Sequence, residues 1–150
     1  MAMILHNLAV SMQDRGVYAL ALEKYEQSLK IRKEIGDKLG IGQSLHQVGI
    51  IYQMKGDYAT ALEKYEQALK IAEELGDKLG IAKSLHQVGS IYHLQKKYPE
   101  AFENHLIAFL VMTELESPDA QIAANNLNDL RKDWGEKEFE EAMRKKSNDE

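Results

Sequence analysis

Apolar residues recur along this chain at the three- and four-residue spacing of an amphipathic helix. Leu45, Val48, Ile51 and Tyr52 form one stripe, and Leu62, Tyr65, Leu69 and Ile71 lie close to another. The period-two alternation of a half-buried strand is absent. The breaks are as regular as the stripes: Gly16, Gly56 and the Lys96-Lys97 pair interrupt one set of stretches, and Gly36-Asp37 and Gly76-Asp77 interrupt the other. Glycine admits the left-handed backbone that ends a helix, and the Asp that follows can accept the free amides opening the next one. The pattern predicts helices over about 2–14, 18–35, 38–54, 58–75, 78–95, 98–115, 118–133 and 136–146.

These helices come in copies. The segment from Tyr18 to Gln27 returns from Tyr58 to Gln67 with only Leu20 changed, to Thr60, and Ser44 to Gly49 returns unaltered as Ser84 to Gly89. A looser third copy keeps Tyr98, Ala101, Phe102, His105 and Ala108. Each unit is therefore helix, turn, helix, and the expected organisation is one solenoid over residues 1–150, with repeats at about 1–36, 37–76 and 77–116. Ser117-Pro118-Asp119 reads as a helix start, because Ser can cap and Pro fits a first turn. It opens a charged final helix pair, 117–147, suited to sealing a solenoid's end, and a frayed tail, 148–150.

Small residues mark where helices approach. Gly49 and Gly89 follow Val48 and Val88, and Ala61, Ala68, Ala101 and Ala108 punctuate the second helices. Tyr25, Tyr52, Tyr65 and Tyr92 supply the bulk opposite them, with hydroxyls that must still reach polar atoms.

Val48, Gly49, Tyr52, Ala61, Tyr65 and Ala68, matched by Val88, Gly89, Tyr92, Ala101 and Ala108, resemble the signature of the tetratricopeptide repeat family. The forty-residue spacing and the Gly-Asp-Lys-Leu-Gly linker are similar to the longer-repeat branch that includes the kinesin light chain. Departures are Leu45 and Leu85 at the early aromatic position, the missing end-of-repeat proline, and Ala9 and Met12 in the first repeat. The resemblance implies an all-α, right-handed α-α superhelix of about four helix pairs, whose first helices line a concave groove that holds a peptide or a partner's helix.

Read on that expectation, the outward face of the first helices carries ladders. His6, His46 and His86 form one, continued by Asn125, and Asn7, Gln47, Gln87 and Asn126 form a second. Further along lie Ile50 and Ser90, then Gln53 and His93, with Gln43 and Lys83 beside them. A side-chain amide offers both a donor and an acceptor, so a row of amides can satisfy the backbone of an extended peptide. Lys83 is the one cation on the groove face of a central repeat, too few for the carboxylate clamp by which some family members grip acidic tails.

Composition narrows the function classes. Twenty-four acidic and 19 basic residues leave a formal charge of -5 without a basic patch, which argues against nucleic acid. The absence of cysteine excludes disulfides, thiolate catalysis and cysteine zinc sites, and fits a reducing compartment. No apolar run reaches the roughly 20 residues of a membrane span, and no basic leading region precedes the first helix, so the sequence reads as cytoplasmic with no membrane partner. Met1-Ala2-Met3, running straight into an apolar helix, suits a piece cut from a longer protein.

Neither a metal nor an organic cofactor is expected. Successive ladder histidines stand on helices about 8–10 Å apart, too far to share an ion that needs nitrogens at about 2 Å. Ser44 and Ser84 beside His46 and His86 lack a third catalytic member, and Glu23 and Glu63 sit beside lysines on solvated faces. The expectation is a non-enzymatic scaffold that binds a segment of another protein. The alternatives are a self-assembling, homo-oligomeric module resting on Ile4, Leu5, Leu8 and Val10, and a sensory module of a larger protein.

Overall fold

The computed structural model describes residues 1–148, and among them the fold is all-α with no strand. The helices are α1 (Ala2–Asp14), α2 (Tyr18–Ile35), α3 (Lys38–Met54), α4 (Tyr58–Leu75), α5 (Lys78–Leu94), α6 (Tyr98–Glu114), α7 (Ala120–Trp134) and α8 (Glu136–Asn148). Asn148 closes α8, and residues 149–150 of the expected frayed tail lie outside the described residues.

The periodicity locates every helix, and one start differs. Ser117-Pro118-Asp119 forms a turn ahead of α7 in place of its first residues. The Ser117 hydroxyl accepts the Asp119 amide at 3.2 Å and the Ser117 carbonyl accepts the Ala120 amide at 3.1 Å, so the serine closes a turn on itself before the helix begins. The other linkers behave as their residues dictate. Asp37 and Asp77 accept the amides of Gly40 and Gly80 at 2.9 and 3.0 Å, capping α3 and opening α5, while Gly36 and Gly76 adopt φ of 71° and 65° at the preceding helix ends.

The chain divides into two compact units, Met1–Ser84 and the remainder from Leu85, with the boundary inside α5. In the first unit, the α1/α2 and α3/α4 hairpins share a core of Ala9, Ala21, Tyr25, Val48 and Ile51, with Met12, Leu22 and Tyr52 packed around it. Val48 and Ile51 come from the first helix of the second repeat and bury against the hairpin of the first. A buried guanidinium sits at the same seam. Arg32 donates from Nε to Ser28 Oγ at 3.1 Å and pairs with Asp37 at 3.2 Å, occupying the space where a side chain at Gly40 would stand.

In the second unit, Ala101, Phe102, Leu127 and Leu130 form the core. Trp134 plugs it as its position at the end of α7 suggests, 5.9 Å from Phe102 and stacked on Tyr98 at 6.5 Å, and Phe139 of α8 meets Phe102 edge-on at 5.2 Å.

Candidate functional site

In Met1–Ser84, three first-helix segments and the end of α4 surround a cavity of about 790 Å³. His6 of α1, Gln43, His46 and Gln47 of α3, and Lys83 with Ser84 of α5 supply its polar wall. Leu39, Leu75 and Leu79, contributed by the start of α3, the end of α4 and the start of α5, give it an apolar lip above Ala68 and Ala72. The helical spacing explains the convergence: Gln43, His46 and Gln47 fall at i, i+3 and i+4 and so share one face of α3. Alanine at 68 and 72, where longer side chains would fill the space, leaves the floor low.

The histidines are built into this wall rather than standing free of it. His6 Nδ1 lies 3.1 Å from Ser44 Oγ, whose serine is completely buried. The His6 ring meets Tyr25 edge-on at 5.3 Å, and His46 meets Tyr65 at 5.4 Å with the rings tilted by 53°. Burial, helped by the nearby Arg32 charge, holds His6 below the ordinary histidine range, so it is a neutral donor and acceptor at pH 7. The charges at the cavity are Lys83 and Asp77.

Other sequence-derived candidates are placed differently. Gln53 accepts the Tyr65 hydroxyl through Oε1 at 2.8 Å, as Gln13 accepts that of Tyr25 at 3.1 Å, so these amides serve the core. Asn7 is exposed and Ile50 half-buried, and neither lines the cavity.

In the unit from Leu85, a polar cleft of about 610 Å³ is lined by Ser90, His93, Asn126, Asp129, Lys132 and Asp133 among others. Its side chains hold one another: His93 Nε2 pairs with Asp133 at 2.8 Å, Asn126 Nδ2 lies 3.2 Å from His86 Nε2, and Ser90 Oγ donates to the His86 carbonyl. Asn125 is exposed and accepts Gln121, and Gln87 is half-buried. His86 packs against His105 at 5.2 Å.

The cavity residues that sequence reasoning passed over are the leucines. Leu39 and Leu79 belong to the Gly-Asp-Lys-Leu-Gly linkers, whose repetition was visible but read only as turn chemistry. Among the described residues no helix is long and apolar enough to cross a membrane.

The tetratricopeptide repeat family model matches residues 1–74, which hold the Gly49–Tyr65 contact and the linker capped by Asp37. Residues 1–74 belong to the tetratricopeptide repeat family. Tetratricopeptide repeats are in general protein–protein interaction scaffolds, and the family is typically non-catalytic. Among solved structures, the crystal structure of BtubC (BKLC) from P. vanneervenii superimposes with a TM-score of 0.80 over 98% of this chain at 20% identity, a likeness of fold. The chain spans 63% of that protein's length. No curated protein matches the sequence. The tetratricopeptide hairpin accounts for the small-residue positions: Ala61 and Ala101 are fully buried, and Gly49 and Gly89 face the aromatic rings of the second helices.

Proposed function

We propose that the chain binds a segment of another protein, and that the recognition site is the cavity of Met1–Ser84. The observation that carries this reading is the convergence of His6, Gln43, His46, Gln47 and Lys83 on one cavity of about 790 Å³ rimmed by three leucines. That volume is in the range of sites that hold several side chains of a ligand, and its composition is an apolar lip around a few placed polar groups. Gln43 and Gln47 can each donate to and accept from a peptide backbone, and Lys83 can meet a carboxylate or a carbonyl. An apolar side chain of the bound segment would enter between Leu39 and Leu75, both about half exposed.

The cleft from Leu85 onward is the weaker binder on this reading, because His93 is already paired with Asp133, and Asn126 and Ser90 with His86, within the fold. Gln87 and Asn125 are adjacent surface, and no cofactor or metal enters the mechanism. Selection of peptides from a random display library on the purified chain, repeated with a Gln43→Ala, Gln47→Ala, Lys83→Ala variant, tests the proposal. Peptides that bind the wild type and lose about tenfold or more in affinity with the variant support it. Peptides indifferent to all three changes contradict it.

A further inference from the structure

The third repeat lacks a lock that the first two share. In each of those a first-helix histidine meets the tyrosine of the second helix, His6 with Tyr25 and His46 with Tyr65. Each tyrosine hydroxyl also donates to an amide twelve residues earlier, Gln13 or Gln53. One repeat on, the tyrosine is His105 and the glutamine is His93. His105 lies 5.2 Å from His86, completely buried, and neither of its ring nitrogens has a hydrogen-bond partner. His93 turns instead to Asp133 of α7. The α5/α6 contact therefore sets two imidazoles against each other where the earlier hairpins hold one imidazole and a bonded phenol.

We propose that the third repeat is an acid-operated latch: on acidification α6 parts from α5 and α7 as a local event, while α1 to α4 hold. Closed, the hairpin offers His105 no acceptor for a second ring proton, and the ring opposite is another histidine. Opened, the ring is solvated and takes the proton near its ordinary 6.5, so falling pH draws the open form. The charged and titratable groups around the contact do not reverse this. His86 and His93 of α5 both oppose a charge on His105. Asp119, ahead of α7, favours a charge on His86 but is outweighed there by burial, and Asp133 is engaged by His93. The first unit answers acid differently, because Tyr25 and Tyr65, whose phenols burial pushes up, stay neutral throughout. His6, lowered too, acts there in the same sense but more weakly, since it keeps Ser44 as a partner and is only half-buried. The cores of the two units are built from different residues, so loosening Phe102 and Leu127 leaves Tyr25 and Ile51 packed.

Amide hydrogen exchange of the full chain at pH 7.5 and pH 5, corrected for the intrinsic exchange rate, reads each helix separately. Protection in α6 should fall about thirtyfold between the two, and in α2 and α4 by less than about fivefold. Restoring the lock with His93→Gln, His105→Tyr should make the change in α6 at least about tenfold smaller. His105→Leu removes the proton site without asking for a new hydrogen bond and should do the same, which keeps the test decisive if the restored pair fails to fold. An equal loss of protection in every helix, protection in α6 that ignores pH, or a pH response unchanged by His105→Leu would each overturn the proposal.

Discussion

The Tyr65 ring occupies the space that a side chain at Gly49 would need. A Cβ built on Gly49 would fall 2.6 Å from Tyr65 Cε1 and 2.8 Å from Cδ1, closer than carbon atoms approach. The ring is completely buried, so it cannot swing aside. Gly49→Leu should therefore destabilise the chain by roughly 1–3 kcal/mol or more through overpacking. In the third repeat the same position is gentler, since a Cβ at Gly89 would stand 3.0 Å from His105 Nδ1. Chemical denaturation should rank Gly49→Ala as more damaging than Gly89→Ala.

The hydroxyl of that tyrosine is the second half of the contact. Tyr65 donates to Gln53 across the α3/α4 turn at 2.8 Å. Tyr65→Phe should cost about 0.5–1.5 kcal/mol, and Gln53→Ala a similar amount. The two losses should not add in a double-mutant cycle, because each removes the same bond.

The structure explains which parts of this arrangement can be read from residue order. Gly49, Ala61 and Tyr65 announce close packing because size at fixed helical spacing is a local property. The same holds for the Asp37 and Asp77 caps. Gln53 is grouped with the groove because it aligns with His93 one repeat on, yet the role of this position, Gln13 in the first repeat, depends on what lies twelve residues ahead across a turn. Tyrosine there recruits the amide of Gln13 and Gln53, whereas His105 is too short to reach and His93 turns to Asp133. The leucine lip of the cavity was equally hidden, since linker leucines acquire a common surface only when two repeats stack. Ser117 misled for a local reason: its hydroxyl closes a turn one residue before a helix can start.

His105 makes stability depend on pH. It is fully buried, neither ring nitrogen has a hydrogen-bond partner, and burial, reinforced by the charges of His86 and His93, pushes its pKa down to about 3. The unfolded chain binds the proton near 6.5 and the folded chain near 3, so stability is complete above pH 6.5 and is lost as pH falls from there toward 3. At pH 5 the loss from this residue is about 2 kcal/mol. His6 and His86 are lowered as well and act in the same sense. Urea melts between pH 7.5 and 5 should show this decline, and His105→Leu should flatten most of it.

Two residues of the third repeat adopt backbone angles that the earlier repeats give to glycine. Lys96 has φ of 59° where Gly56 has 77°, and Glu116 has φ of 52° where Gly76 has 65°. A left-handed non-glycine residue costs about 1–2 kcal/mol, offset in part by the greater freedom of glycine in the unfolded chain. Lys96→Gly and Glu116→Gly should each stabilise by about 0.5–1 kcal/mol, read as a higher denaturation midpoint at unchanged slope.

The functional claim is tested most directly by amide chemical-shift mapping of the chain with a peptide selected for binding it. The account predicts that the shifts follow Gln43, His46, Gln47, Leu75, Leu79 and Lys83 around the cavity, with Glu63 and Glu66 on the exposed side of α4 unmoved. Shifts concentrated on α4 at Glu63 and Glu66, with Gln43 and Gln47 silent, would contradict it.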